Sequence, residues 1–247
     1  MFWGDLPFEV IATQTTISNH LLDRLSPALR SALENVGQRV GLKRGERIYD
    51  AGGPVRYVYL PVDGIISIVS VMQDGTQIEV TTIGREGAAG AQILLDRGDS
   101  TTSMTYVQIP GEALRVEAGE FVTLAATYPE LALMIGKYLS ALIDVMAQST
   151  ACNRLHYVNE RCARWLLSTA DRVGRDEFAL THETMATMLG VRRAGVSISC
   201  ASLQNAGYIA YSRGHFRVVD RAGLRTAACE CYDAINRAFD RRGLRAG

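Results

Sequence analysis

The sequence predicts an α+β fold: an N-terminal β-roll, one long helix, and a C-terminal helix-turn-helix followed by a β-hairpin wing. Three observations lead to this prediction. Glycines punctuate short segments rich in Val, Ile and Tyr over residues 40–116. Apolar residues then recur every 3.5 residues on average over 129–156. Finally, two short amphipathic segments flank Gly190, and two alternating segments follow them. These are the periods of strands, of a helix with one apolar seam, and of a helical pair with a hairpin.

The length and the distribution of charge indicate two domains joined by the long helix. A chain of 247 residues can bury two separate cores. We expect a β-roll domain at 1–127, the long helix and a hinge at 128–157, and the helix-turn-helix domain at 158–247. Residues 1–150 hold 11 Lys and Arg against 17 Asp and Glu, whereas 151–247 hold 15 Arg, no Lys and 9 Asp and Glu. A basic C-terminal half is typical of proteins that bind the phosphate backbone of nucleic acids, and chance clustering is the alternative.

The composition favours a cytoplasmic protein. No run of about 18 apolar residues is present, which argues against a membrane span. The N-terminus lacks the basic start and apolar core of an export signal. The five cysteines are an odd number without a Cys-x-x-Cys pair, a pattern that favours reduced thiols over a disulfide framework.

The N-terminal half begins with a helical pattern and continues as strands. Leucines recur at helical spacing over 21–33, and Ser26-Pro27 is a plausible second helix start. The expected strands lie at 57–60, 65–71, 77–83, 105–109 and 113–116. Asp63-Gly64 and Asp74-Gly75 are both expected to form hairpin turns, because glycine tolerates positive φ. Many short strands with regular turns predict an antiparallel barrel or a double-sheet roll.

A short helix at 117–126 precedes the long helix, which Pro129 opens. The 3.5-residue period of the long helix is that of a coiled-coil seam. We expect this seam to join two copies of the chain, although the helix could instead pack on its own β-domain. A hinge at 153–159 and an amphipathic helix at 159–172 follow. The predicted seam consists of Leu131, Ile135, Tyr138, Leu142, Val145 and Ser149.

The pattern of residues 181–219 predicts a helix-turn-helix with a wing. Thr181 is a suitable N-cap, and Gly190 allows the tight turn between the two helices. Arg192 and Arg193 fall off the apolar stripe of the second helix, so they should face solvent or a partner. Two strands joined through residues 212–214 would form the wing. In such a motif the second helix enters the DNA major groove by its N-terminal end. A plain helical hairpin followed by a β-hairpin is the alternative.

This order of elements resembles the cyclic-AMP receptor protein and fumarate–nitrate regulator (CRP/FNR) superfamily of bacterial transcription factors, over residues 20–220. The most specific motifs are 181–207, the segment Ile83-Gly84-Arg85-Glu86-Gly87, and Cys152-Asn153-Arg154-Leu155-His156. The resemblance implies a signal sensed in the roll, relayed through the long helix, and answered by reorientation of the DNA-binding domains. It also implies a homodimer on an inverted-repeat site in double-stranded DNA, and contact with RNA polymerase.

The sensor loop departs from the family's cyclic-AMP site. Cyclic-AMP binders hold ribose and phosphate with a Gly-Glu pair and a later Arg-Ser pair, because a buried phosphate needs a cation. No Arg occupies the phosphate position here, and Met146-Ala147 replaces the Thr-Ser pair of the long helix. We therefore do not expect cyclic AMP as the effector. Arg85 or Arg97 could instead serve another anion. The candidate pocket residues are Gly87, Gly90, Ala91, Gln92, Thr101, Thr102, Met146 and Ala147.

The resemblance also suggests how DNA is read. Arg193 matches a family base-reading position and can bond guanine, whereas Ala194 replaces a family Glu and suits a thymine methyl. Ile198 would read only by apolar contact. Thr181, the Gly195 N–H, Arg213 and His215 are candidate phosphate contacts. The full expected set is Thr181, Arg192, Arg193, Ala194, Gly195, Ser197, Ile198, Arg213 and His215.

Metal and catalytic functions have less support in the sequence. Cys152 and His156 lie one helical turn apart, a spacing that could bind metal or haem iron, yet two ligands are too few in one chain. Cys229 and Cys231 are interpreted as packing residues, with redox sensing as an option. We expect no metal site and no certain cofactor. The four His are scattered and no nucleophile motif is present, so we expect no enzyme. A ligand-binding module that regulates a partner protein is the alternative function.

Overall fold

A computed structural model describes residues 19–96 and 103–244 of the chain. The α-helices in these ranges are α1 (Pro27–Val36), α2 (Ala118–Thr127), α3 (Pro129–Leu155), α4 (Val158–Val173), α5 (His182–Leu189), α6 (Arg193–Asn205), α7 (Arg221–Ala227) and α8 (Cys231–Asp240). The strands are β1 (Gln38–Leu42), β2 (Arg47–Tyr49), β3 (Tyr57–Pro61), β4 (Ile65–Val71), β5 (Gln77–Ile83), β6 (Met104–Ile109), β7 (Gly111–Glu117), β8 (Glu177–Ala179), β9 (Ile209–Ser212) and β10 (His215–Val218). Among the described helices, none has the length and apolar character needed to cross a membrane.

The N-terminal strands form the predicted roll from two antiparallel sheets. One sheet has the strand order β1-β7-β3, and the other has the order β2-β6-β4-β5. Their inward-facing Val, Ile and Leu side chains share a core with α1, α2 and α3. Strands β1, β2 and β8 did not stand out in the sequence because they are short and polar on one face. The α+β architecture with a β-roll, a long helix and a winged helix-turn-helix is confirmed.

Only one of the two expected hairpin turns is a hairpin. Asp74-Gly75 joins β4 to β5, which pair antiparallel, and Gly75 has a φ of +82°. The expectation for Asp63-Gly64 was wrong, because β3 and β4 belong to different sheets. The chain turns a corner between the sheets there, and the backbone N–H groups of Val62 and Asp63 both donate to the Glu112 carbonyl.

The long helix α3 packs on its own chain. It begins at Pro129, as predicted, and it ends at Leu155, where His156 takes an extended conformation. The expected dimer seam is buried: Leu131, Ile135, Tyr138, Leu142 and Val145 lie in the core of the roll domain. Ser149, half-buried, lines a cleft with Thr82, Arg164 and Ile235 of the same chain. The 3.5-residue period therefore marks the face of α3 that packs on its own β-domain, which was the alternative interpretation. The prediction that these residues join two copies of the chain is corrected accordingly.

Helix α4 joins the two halves of the molecule. Residues 161–170 are buried all around, because one face packs on the winged domain and the other on the roll. Trp165 Nε1 donates to Glu79 Oε1 of β5 at 3.0 Å, and Arg172 forms an ion pair with Glu86 at 3.0 Å. Roll residues Ile65 and Val69 consequently share the second core with the helix-turn-helix.

The C-terminal helix α8 returns to the roll domain. Its Ile235, Ala238 and Phe239 are buried in the same core as α3. The expected domain 158–247 therefore contains a C-terminal segment, α8, that packs on the roll domain. The domain limits given by the sequence remain a prediction, and α8 is shared between the two parts.

Candidate DNA-binding site

The two helices of the helix-turn-helix are built as the sequence predicts. Thr181 caps α5, since its Oγ1 accepts the Thr184 N–H at 3.1 Å. The apolar stripes of both helices are buried in one core. Gly190 ends α5 with a φ of +62°, a left-handed conformation that costs other residues about 1–2 kcal/mol. The turn therefore depends on glycine at this position.

An aromatic cluster fixes the wing against the helix-turn-helix. The His182 ring stacks on Tyr211 of β9 with centroids 4.1 Å apart, and Phe216 of β10 lies 4.5 Å from the same tyrosine. Strand β8 pairs with β10 on the side opposite β9, and its Phe178 stacks on Phe216. Burial and the charge of Arg193 lower the pKa of His182. The neutral imidazole then packs in this cluster without an unpaired charge.

The N-terminal end of α6 is exposed. Arg192, Arg193 and Ala194 lie at the surface, and the Arg193 side chain is 69% exposed. Its guanidinium lies 3.7 Å from the exposed Glu183 carboxylate, an ion pair that is worth little in water. Ile198, on the exposed face of the same helix, is 72% exposed. A groove of about 680 Å³ separates this end of α6 from the β4–β5 hairpin. Both guanidiniums are thus accessible.

Three of the expected contact residues already have partners within the chain. The Thr181 hydroxyl is used in the cap of α5. The Gly195 N–H donates to the Arg192 carbonyl at 2.9 Å. Ser197 Oγ lies 3.1 Å from His182 Nδ1, which ties α6 to α5. These residues hold the motif together in this conformation, and their contact with a phosphate stays a prediction.

The wing presents further basic groups. Arg213 and Gly214 both have positive φ, of 47° and 81°, as a two-residue turn of this hand requires. Arg213 is the one described non-glycine residue with a positive φ. It lies exposed at the tip, with His215 exposed beside it. Arg217, which the sequence did not single out, is also exposed on β10.

The exposed face of α6 continues beyond the expected residues. Ala201, Ser202 and Asn205 are exposed, and Ala201 and Asn205 continue the helical spacing of Ala194 and Ile198. That spacing could have found them in the sequence. Gln204, by contrast, accepts the Tyr211 N–H at 2.8 Å and so fixes the wing.

A buried arginine connects the long helix to this motif. Arg161 of α4 donates to Asn153 Oδ1 of α3 at 2.9 Å and also to the carbonyl of Leu189, the last residue of α5. Burial lowers the pKa of Arg161, although its charge is compensated by these acceptors. The end of α3, the start of α4 and the turn of the helix-turn-helix are therefore held by one side chain.

The candidate effector residues are partly packed among themselves and their neighbours. Gly87 and Ala91 are buried, and a Cβ at Gly87 would collide with the Tyr138 ring of α3. Gly90 has a φ of +84° and faces Tyr49. Ala147 is exposed in a groove of about 370 Å³ beside α8, while Met146 packs on the roll core and Gln92 is exposed. Thr101 and Thr102 lie outside the described residues.

We expect Gly190→Ala to lower the free energy of unfolding by about 1–2 kcal/mol, because alanine disfavours the left-handed region. Its Cβ would also lie 2.9 Å from Ile78 Cδ1 of the hairpin. Gly195→Ala is the matched control, since its Cβ would meet only Val158 Cγ1 at 3.9 Å. That variant should be neutral or gain up to about 1 kcal/mol. Urea unfolding of both variants measures the difference, and equal stabilities would refute the assignment of the turn.

Two family models match the chain. The model for the Crp-like helix-turn-helix domain matches residues 160–227, and the model for the cyclic nucleotide-binding domain matches residues 39–128. Together the two matches span more than half of the chain. No curated protein matches the chain by sequence.

Solved structures of similar fold include FixK2 from Bradyrhizobium japonicum, with 18% identity, a TM-score of 0.67, and coverage of 78% of this chain and 98% of that one. The c-di-GMP responsive global regulator CLP of Xanthomonas campestris is 15% identical, with a TM-score of 0.63. The match covers 78% of this chain and 99% of that one. TTHB099, a transcriptional regulator of the CRP family from Thermus thermophilus, is 22% identical, with a TM-score of 0.63. The match covers 76% of this chain and 96% of that one.

Proposed function

From the premise that the chain belongs to the CRP/FNR superfamily of transcription regulators, we propose that it is a homodimeric, sequence-specific DNA-binding regulator of the cytoplasm. The observation that carries this proposal is the exposed N-terminal end of α6, where Arg192 and Arg193 project from a helix whose opposite face is buried. In a winged helix-turn-helix this end of the second helix enters the major groove. No catalytic role is proposed.

Base reading is assigned to the exposed face of α6. The Arg193 guanidinium can donate two hydrogen bonds to O6 and N7 of guanine. Ala194 and Ile198 offer apolar contact to a thymine methyl, and Asn205 at the far end can bond adenine if the groove reaches it. Arg213 and Arg217 of the wing supply charge for the phosphates, which position the protein without specifying sequence.

Dimerisation is assigned to the face of α3 that the chain covers only in part, since Leu139 and Met146 of this face also touch the roll core. Leu139 and Met146 are half-buried on this face, and Ile143 between them is 61% exposed. Steps of four and three residues separate the members of this stripe, as in a coiled coil. Small residues at both ends would let two helices approach closely. The proposed stripe is Ala132, Gly136, Leu139, Ile143, Met146 and Thr150.

The roll is proposed to sense an effector other than cyclic AMP. In the sequence, Asp99-Ser100-Thr101-Thr102-Ser103 takes the place of the family's phosphate-binding Arg-Ser pair, so this stretch supplies no arginine. Tyr138 and Tyr49 fill the space beside Gly87 and Gly90. An effector that displaced Tyr138 would move α3 directly, and Arg161 would transmit that movement to α5. We also propose that the protein contacts RNA polymerase, because the family to which it belongs does so.

The test of DNA binding begins with selection of duplexes from a random-sequence pool by the full-length chain, followed by affinity measurements at two salt concentrations. We expect selected sites to share an inverted repeat, with half-sites about 34 Å apart. Arg193→Ala should then weaken binding by about 1–3 kcal/mol, roughly 5- to 150-fold, and relax preference at one base pair in each half-site.

The matched control is Arg39→Ala, which removes the same charge from an exposed ion pair with Glu112 in the roll. It should leave the preference unchanged. Affinity of the wild type should also fall steeply with salt, because bound phosphates release counterions. Selection of no sequence at all, or an Arg193→Ala variant with wild-type affinity and preference, would contradict the proposed docking.

The dimer is tested by Ile143→Glu. A charged residue in the centre of an apolar helix seam is expected to shift the chain from dimer to monomer in sedimentation velocity, without unfolding, because Ile143 is exposed in the single chain. Val36→Glu makes the same change at an exposed apolar position on α1 and should stay dimeric. A wild-type monomer, or an Ile143→Glu dimer of unchanged affinity, would exclude this interface.

A further inference from the structure

Four potential metal ligands from two distant segments meet beside the hinge. Cys152 and His156 lie on the last turn of α3 and just after it, whereas Cys229 and Cys231 lie at the connection of α7 to α8. Their ligand atoms all lie within 4.8 Å of one another. Cys152 Sγ is 3.5 Å from Cys229 Sγ, and Cys231 Sγ is 3.5 Å from His156 Nδ1. Three sulfurs and one imidazole nitrogen thus lie in one cluster.

The two separations of 3.5 Å match those between ligands of a tetrahedral zinc site. Zinc binds thiolate sulfur at about 2.3 Å and imidazole nitrogen at about 2.0–2.1 Å, which places neighbouring ligand atoms about 3.4–3.8 Å apart in a tetrahedron. A Cys₃His set is one of the closed ligand sets of structural zinc. It leaves no open position for a substrate.

The residues around the cluster support this ligand set. His156 Nε2 lies 3.1 Å from the Glu230 carboxylate, which leaves Nδ1 free to bind a metal ion. Gln148 Nε2 donates to Cys231 Sγ at 3.0 Å. Zinc-bound histidines almost always carry such a carboxylate partner, and bound thiolates accept hydrogen bonds from their surroundings.

The chain's other cysteines provide an internal comparison. Cys162 and Cys200 are buried in the apolar core of the winged domain, and burial raises their pKa to about 11 and about 12. Cys152, Cys229 and Cys231 form a separate cluster outside both large cores. The cluster thus differs from the core cysteines in its surroundings, because His156, Gln148 and Glu230 lie beside it.

We propose that Cys152, His156, Cys229 and Cys231 bind one Zn²⁺ per chain. The ion joins the end of α3 to the start of α8, on both sides of the break at His156 where the chain passes into α4. It therefore clamps the C-terminal segment to the long helix and restrains the hinge between the roll and the winged domain. Zinc binding at this site needs neither DNA nor an effector in the roll, so it is tested separately from the proposed function.

The first test is metal content. The full-length chain, purified and kept under reducing conditions, is stripped with a chelator, reloaded with Zn²⁺ and dialysed. We expect about one zinc per chain by mass spectrometry. Co²⁺ in its place should give the strong visible bands of a tetrahedral ion and a thiolate charge-transfer band. Less than a tenth of an equivalent of zinc, a weak octahedral cobalt spectrum, or iron with acid-labile sulfide would overturn the proposal.

Variants identify the ligands. Cys229→Ala combined with Cys231→Ala should lower zinc affinity at least about 100-fold, since loss of ligands exceeds the 10- to 100-fold effect of outer partners. Cys200→Ala, a buried cysteine outside the cluster, should bind zinc as the wild type does. His156→Cys should retain one equivalent with a four-thiolate cobalt spectrum, which shows that the site still folds. Zinc binding that survives the double substitution would overturn the assignment.

Discussion

Phe216→Ala is expected to lower the free energy of unfolding of the winged domain by about 3–5 kcal/mol, because it empties the centre of a buried aromatic cluster. Phe216 is 1% exposed and contacts Phe178, Tyr211 and His182. Its loss removes the larger of the two buried side chains of β10, and only Val218 remains. Thermal and urea unfolding of the full-length chain measure the effect, and DNA affinity measured below the new transition should fall as the wing loses its position.

Phe216→Leu is the matched control, since it keeps most of the apolar volume. It should destabilise the domain by no more than about 1.5 kcal/mol. A Phe216→Ala variant that loses less than about 1 kcal/mol would mean that the wing packs elsewhere, and the arrangement of helix-turn-helix and wing described here would be wrong.

Arg172→Ala is expected to destabilise the chain by about 2–4 kcal/mol, because it leaves the Glu86 carboxylate without its charge partner at a nearly dry interface. The two side chains are 12% and 11% exposed and lie 3.0 Å apart. Arg172 also donates to Thr82 Oγ1 at 2.7 Å. Since both contacts join α4 to the roll, we expect faster hydrogen exchange at this junction as well as a lower unfolding midpoint.

Arg175→Ala provides the control for this prediction. Arg175 also reaches from the winged part to the roll, where it pairs with Asp63, but this pair is exposed. Exposed ion pairs contribute at most about 1 kcal/mol, so this variant should be nearly neutral. Replacing both Arg172 and Glu86 should recover part of the loss, since no buried charge is then left alone. Equal effects of Arg172→Ala and Arg175→Ala would exclude a special role for the buried pair.

Local patterns predicted the elements of this fold well, because their causes are local. Pro129 opens α3 and Gly174 ends α4 through backbone preferences that neighbouring residues cannot override. The same dipeptide Asp-Gly nevertheless turns a hairpin at 74–75 and a corner at 63–64. Strand pairing decides between these outcomes, and pairing depends on residues far away in the sequence, such as Glu112.

The seam of α3 shows a second limit. A 3.5-residue period indicates that one helix face is buried, but it does not indicate which surface covers it. Here the larger apolar side chains, such as Tyr138 and Leu142, pack on the roll. The stripe proposed for a partner mixes Leu139, Ile143 and Met146 with small residues, and its weaker apolar pattern did not stand out beside the stronger one.

The two candidate sites also differ in how far apart their residues lie in the sequence. The exposed end of α6 could be predicted because the side chains that carry it lie within one short segment, around Arg192 and Arg193. The cluster of Cys152, His156, Cys229 and Cys231 could not, because about 75 residues separate its two pairs and each pair alone has too few ligands. Only the return of α8 to α3 brings the pairs together.

In the proposed complex, two copies of the chain place their α6 helices in adjacent major grooves of one duplex. Native mass spectrometry of the full-length chain on its selected duplex tests this claim most directly. We expect a complex of two chains and one duplex, and its loss when either half-site is scrambled. A complex of one chain on one duplex, or binding that ignores the scrambled half-site, would contradict the account.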